Sequence, residues 1–154
     1  MRTPHLYWAT YGIVQNEKNE ILMLQRQNTG YFDGWRCLPA GHIEQGELSS
    51  SSIQHEILEE IGVTISPDDA KLFYVLHRIN DQASGSREYM DLCYTIKNRT
   101  WDIKNTEPDK CSDLQRFAHD SLPDYMSVEN RLFIEHYFSH WDEQIRFGEI
   151  DERE

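Results

Sequence analysis

Cysteine is sparse: Cys37, Cys93 and Cys111 are scattered, with no CxxC pair among them. That spacing neither holds zinc nor frames a set of disulfides, and an odd count of this kind marks reduced thiols, so the expected location is cytoplasmic. The opening MRTPHLYWATYG lacks a charged segment followed by an apolar run, so no secretory leader is read there. No stretch approaches the ~20 consecutive apolar residues needed to cross a bilayer, and no membrane partner is expected. Basic residues are also short, 15 Lys and Arg against 27 Asp and Glu, for a net charge of -12. A protein that grips a nucleic-acid backbone needs the opposite balance, so no nucleic-acid polymer is expected as partner. Small phosphate-bearing ligands stay open, because bound cations reverse the local sign of a site. Repeats and linkers are absent, and the only low-complexity run is Ser49–Ser52. The 154 residues suit one domain, 1–148, followed by an acidic tail, EIDERE at 149–154, that is expected to fray.

What is present alternates between strand and helix signals. HLYWATYGIV (5–14) and ILMLQR (21–26) are rich in β-branched, aromatic and aliphatic residues and flank a polar turn, which predicts a hairpin. Loop residues fill 27–34, a short strand follows at 35–38 and ends at Pro39, and 40–47 (AGHIEQGE) reads as a structured loop. A helix is expected over 49–61, with a serine as cap and Gly62 as its stop. Two further strands are expected at 71–79 and 89–96, a loop at 105–112, a last short strand at 114–118, and a second amphipathic helix over 128–140. A strand-rich chain with two separated helices predicts an α/β fold, a mixed sheet with helices on its faces. One of Tyr31, Phe32 and Trp35 is a candidate to stack on a base, with core packing the favoured reading of Trp35, and Trp8, Trp101 and Trp141 read as packing residues.

The first helix carries its chemistry in HEILEEIG, 55–62. Ile53, Ile57 and Ile61 form one stripe, while Glu56, Glu59 and Glu60 span an arc of about 100° beside it. Like charges at that spacing repel by roughly 0.2–0.5 kcal/mol per pair. A bare ExxEE is most often a solvated face. A hard divalent cation, which prefers carboxylate, carbonyl and water oxygens, would turn the same cluster into a stable site.

Context favours the second reading. Gly41, Glu47, Glu56, Ile57, Glu59, Glu60, Gly62 and Val63 fall in the register Gly-x5-Glu-x7-Arg-Glu-U-x-Glu-Glu-x-Gly-U, in which U is a bulky aliphatic residue. This resembles the Nudix box. One specified position departs: His55 stands where the family has arginine. The flanking WRCLPAGHIE and EPDKCSDLQRF are also similar to segments around the box in family members.

The resemblance implies an α/β/α sandwich around a mixed sheet. It also implies hydrolysis of the pyrophosphate linkage of a small nucleotide with Mg2+ or Mn2+. On this chain it assigns Glu56, Glu60 and Glu59 as metal ligands, with the Ala40 carbonyl as a further oxygen. Glu47, His55 and Gly41 stand behind those ligands. The catalytic base falls to Glu59 or Glu56, or to Glu107 from a loop outside the box. Arg26, Arg78 and Tyr31 are expected to meet the substrate. A short chain without an added domain points to a nucleoside triphosphate, damaged or not. The alternatives are a nucleoside diphosphate sugar or other nucleoside diphosphate derivative, and a weakened module that only binds nucleotide. A homodimer is compatible with the family. Histidine at 55 lacks the rigid bidentate fork of arginine. It is expected to pair with Glu59 one turn on or with Glu47 across the loop, in an enzyme that stays active because every carboxylate of the box is kept.

Overall fold

A computed structural model of the chain describes residues 5–81, 85–97, 102–139 and 144–153. Among the described residues, eight strands and two α-helices follow one another: β1 (Leu6–Val14), β2 (Glu20–Arg26), β3 (Arg36–Cys37), β4 (Ala40–His42), α1 (Ser49–Ile61), β5 (Ala70–Asn80), β6 (Arg87–Ile96), β7 (Cys111–Ala118), α2 (Val128–Ser139) and β8 (Arg146–Asp151). Helix α2 ends at Ser139; His140, Trp101 and Trp141 lie outside the described residues.

The strands form a five-stranded sheet, β4-β1-β6-β5-β8, and a three-stranded sheet, β3-β2-β7. The larger sheet is mixed: β1–β6 and β5–β8 run parallel, β1–β4 and β5–β6 antiparallel. The expected hairpin between the first two strands does not form. They share a single antiparallel bridge, Gln15 to Ile21, and then part into different sheets. Both edges of β1 are occupied, by β4 and β6, so β2 finds its partners in β3 and β7. The acidic tail departs from expectation too. Residues 149–151 belong to β8 and pair with His77, Arg78 and Ile79, and the Arg153 guanidinium bonds the Asp151 carboxylate at 2.6 and 2.8 Å. Main-chain pairing with a central strand outweighs the repulsion expected of the acids.

Each face of the large sheet carries a core. Ile53, Ile57 and Ile61 of α1 are fully buried with Val14, Leu22, Val63, Ile65 and Ile96. On the other face, Phe133 and Ile134 of α2 pack with Tyr11, Ile13, Phe73, Tyr74 and Leu76. The serine run is explained by tethering rather than capping. The helix cap is Leu48, which makes no side-chain capping bond. Ser52, buried, shares a 3.2 Å hydrogen bond with Thr10 on β1, and Ser49 Oγ accepts from the Tyr94 hydroxyl on β6 at 2.8 Å. These two bonds fix the azimuth of α1 on the sheet, and with it the direction of the glutamates.

Candidate active site

Helix α1 ends in a left-handed turn at Gly62 (φ 70°), whose N–H donates to the Leu58 carbonyl at 3.0 Å. The carbonyls left open in the last turn are met by the segment 104–106. Thr106 Oγ1 donates to the Glu59 carbonyl at 2.5 Å, the Thr106 N–H to that of Glu60 at 3.3 Å, and the Lys104 N–H to that of Ile61 at 3.0 Å. An α-helix leaves four such carbonyls without internal partners, so this docking satisfies a general need. It also carries the next residue, Glu107, to the acidic face.

The result is a cavity of about 550 Å3 lined by Glu56, Glu59, Glu60 and Glu107, with Ala40, Gly41, Arg26 and Lys110 on the opposing walls. Lys110 Nζ lies 3.7 Å from Glu107 Oε1. Glu60 Oε2 accepts a 2.9 Å bond from the Ala40 N–H, which ties the helix to β4. Glu56 lies so close under β4 that a Cβ at position 41 would overlap its carboxylate; only glycine leaves that room.

Electrostatics record the crowding. Burial, then Glu59, Glu107 and Glu47, push the Glu56 carboxyl up to about 7. Burial and Glu56 raise Glu60 well above the usual carboxylate range, against the pull of the Ala40 N–H. Among the described residues, no three acidic, histidine or cysteine side chains converge to cage an ion by themselves. Mg2+ is ordinarily held by one or two carboxylates, waters and the phosphates of the substrate rather than by an all-protein cage. The all-oxygen donor set and its mutual repulsion fit such an ion.

His55 pairs with Glu47, not Glu59: Nδ1 lies 2.6 Å from Glu47 Oε1. Glu47 Oε2 accepts from the Glu44 N–H at 3.0 Å. That bond, with the His55 contact, outweighs burial and holds the Glu47 carboxyl below its ordinary value. Glu47 thus closes its own loop onto α1 and does not line the acidic cavity.

A second cavity, of about 440 Å3, adjoins the first and shares Arg26, Ala40, Gly41 and Glu60 with it. All three residues expected to meet substrate reach it. Arg26 is aimed by 2.7 and 3.1 Å bonds to the Tyr31 carbonyl and Thr29 Oγ1. The Tyr31 hydroxyl accepts from Asn80 at 3.2 Å. Arg78 is no surface arginine: it is 2% exposed, donates to Asp91 at 2.8 Å and lies 4.0 Å from Glu129. Burial alone would depress its pKa, but Glu129, Tyr11 and Asp91 outweigh it and hold the guanidinium charged.

Sequence reasoning missed part of this wall. Trp35 is not core: it is half-buried, lines the cavity and packs on Phe32 at 4.5 Å between ring centres. Phe32 itself takes a left-handed backbone (φ 49°), costly for a bulky side chain, at the cavity rim. Ser127, Glu129 and Asn130 at the start of α2 are buried and linked. Asn130 accepts from the Leu38 N–H at 2.9 Å and donates to Ser127 at 2.7 Å, and Ser127 donates to Glu129 at 2.8 Å. In sequence the signal is only a polar cluster that reads as a helix start.

A family model described as NUDIX domain matches residues 6–137. Over 62 residues, 40% of this chain and 46% of the relative, the chain is 36% identical to the 8-oxo-dGTP diphosphatase of Escherichia coli (strain K12); the match thus spans less than half of that relative. In structure it is similar to a MutT NUDIX hydrolase from Burkholderia pseudomallei, with TM-score 0.75 and 24% identity, covering 85% of this chain and 97% of that one. It is also similar to the NUDIX domain of Shewanella oneidensis NrtR, solved with ADP ribose, with TM-score 0.68 and 15% identity, covering 92% and 91%.

Proposed function

Since the chain belongs to the NUDIX family, we propose that it is a divalent-metal-dependent pyrophosphohydrolase of a small nucleotide, with a nucleoside triphosphate as its first substrate. One observation carries this reading: the acidic cavity and the arginine-and-aromatic cavity share a wall made of Ala40, Gly41, Glu60 and Arg26. A nucleotide lying across that wall has its ring among Tyr31, Phe32 and Trp35 and its phosphates before the glutamates. The relative that acts on 8-oxo-dGTP supports a triphosphate, intact or oxidised.

Glu56, Glu60 and Glu59 would hold Mg2+ or Mn2+ with the Ala40 carbonyl. The ion supplies charge neutralisation at the phosphate oxygens and activation of the attacking water. The chain's own residues do the rest. Arg26, fixed by Tyr31 and Thr29, presents donors to the phosphates across from the glutamates. Arg78 stays charged beneath the ring site. His55 and Glu47 lock the loop that leads into α1. Glu59, Glu56 or Glu107 would take the proton from water as the P–O–P bridge breaks; that Glu107 lines the acidic cavity supports its candidacy.

Among the described residues no helix is long and apolar enough to cross a membrane. A cytoplasmic location, favoured by the free thiols, belongs to the same proposal. The test is a panel of nucleoside triphosphates, oxidised triphosphates and nucleoside diphosphate sugars with Mg2+, reading released phosphate or pyrophosphate. Turnover of a triphosphate is the expected result. Binding without turnover across the whole panel would reduce the protein to a nucleotide-binding module.

A further inference from the structure

Two loops 81 residues apart in sequence meet beside the acidic cavity. Strands β2 and β7 pair as far as a slip in register, where Gln25 faces Asp113 and Arg26 faces Cys111. Such bulges re-aim side chains and recur next to active sites. Beyond the slip the two chains stay joined by other means. The Gln27 N–H donates to the Lys110 carbonyl at 2.9 Å. Gln27 Nε2 donates to the Pro108 carbonyl at 2.6 Å, and Asn28 Nδ2 to the Asp109 carbonyl at 3.1 Å. Three consecutive carbonyls, 108 to 110, are thus held by two consecutive residues of the loop after β2. Pro108 has no N–H, so a regular ladder cannot run through this turn. Side-chain amides take its place.

The captured turn is the one that carries Glu107. The Lys110 and Cys111 N–H groups donate to the Glu107 carbonyl at 3.0 and 2.9 Å, and the Glu107 N–H donates to Asn105 Oδ1 at 3.2 Å. The capturing loop begins at Arg26 and runs on to Thr29, Tyr31 and Phe32, which line the ring cavity. Asn28 has a left-handed backbone, φ 55°, which asparagine accepts more readily than most side chains. Position 28 needs that conformation and an amide donor together, and asparagine supplies both. On its other side the turn is anchored to the end of α1 through Thr106. One anchor leaves a turn free to swing; the second, from residues 27 and 28, fixes where Glu107 stands.

We propose that Gln27 and Asn28 are positioning residues of the reaction: they hold the 107–110 turn against the loop that meets the substrate ring, and so set the Glu107 carboxylate toward the phosphates. The inference rests on the proposed function, with Glu107 as the group that takes the proton from water. Gln27 and Asn28 act through Glu107, because both amides are spent on main-chain carbonyls.

The experiment follows hydrolysis of guanosine triphosphate, or of the panel nucleotide that wild type turns over fastest, with Mg2+. It compares wild type, the double variant Gln27→Ala with Asn28→Gly, Glu107→Gln, and all three changes together. Glycine keeps the left-handed backbone at 28 and removes only the amide. The double variant should lose kcat about tenfold with KM within about twofold, since a displacement of ~1 Å costs up to about a hundredfold. Glu107→Gln should also lower kcat, and in its background the further loss from the pair should shrink below about twofold. Amide exchange read by NMR should quicken at Lys110 and Cys111 and stay unchanged in β1 and β6. Full kcat in the double variant, a loss carried by KM, or an equal loss with and without Glu107→Gln would each overturn the assignment. Full turnover by Glu107→Gln would overturn it too. If wild type hydrolyses no nucleotide of the panel, the functional reading falls, and exchange alone decides: faster exchange at Lys110 and Cys111 sustains the positioning of the turn and unchanged exchange removes it.

Discussion

Glu56→Gln should stabilise the metal-free protein at neutral pH while disabling it. The Glu56 carboxyl lies beneath Gly41 among Glu59, Glu107 and Glu47 and titrates at about 7 instead of the ordinary 4.5. The folded-state value is the higher one, so the native protein keeps a proton that the unfolded chain gives up. The stability tied to that proton is complete below about pH 4.5 and is lost as pH rises through about 7. At ~1.36 kcal/mol per tenfold, the difference corresponds to roughly 3 kcal/mol; because the carboxyl is partly solvated, about 1–2 kcal/mol is expected. Glutamine has the same shape and no charge to lose. In EDTA near pH 8 the variant should therefore gain about 1–2 kcal/mol over wild type, or ~2–8 °C in Tm for a domain of this size. Near pH 4.5 the gain should vanish. Adding Mg2+ should raise the Tm of wild type and leave the variant behind. Thermal denaturation by circular dichroism over a pH series reads all three. No gain in EDTA at neutral pH, or a gain independent of pH, would refute the claim that this glutamate is held against repulsion for a cation.

Glu60→Gln keeps an oxygen to accept the Ala40 N–H, so the fold should persist. Turnover should drop by more than the roughly 10–100-fold typical of residues behind a metal site, and near-normal kinetics would strike Glu60 from the ligands. Gly41→Ala places a methyl into the Glu56 carboxylate; it should cost about 1–3 kcal/mol by denaturant melt and weaken Mg2+ response in the same protein. His55→Arg should keep or raise turnover, because an arginine can replace the 2.6 Å contact to Glu47 with a two-pronged one; a large fall in kcat would show a role peculiar to histidine. Arg26→Ala should raise KM for a triphosphate while leaving thermal stability almost untouched, its bonds being to a loop carbonyl and a hydroxyl.

The local code was legible where one element carries the whole message. The four-residue spacing of Ile53, Ile57 and Ile61 set α1, Gly62 ended it, and the glutamates beside the stripe had to leave the core together, because helical geometry fixes which residues share a face. The span of the box in sequence was enough to name the family that the rest of the chain matches. Contacts between elements were not legible. Whether β2 pairs with β1 or leaves for another sheet depends on which edges β4 and β6 have already filled, and neighbours in sequence say nothing of that. Residues 149–151 look like a solvated acidic end until β5 offers them a parallel partner. Arg78 reads in its strand only as a candidate substrate contact; the approach of Asp91 and Glu129 from two other elements is what makes it a buried charge. Ser127, Glu129 and Asn130 likewise look like a helix start until the sheet closes over them. Periodicity along one element is written in the chain, since the backbone repeats. The meeting of side chains from separate elements is decided by packing, where burial, partner and charge are settled together.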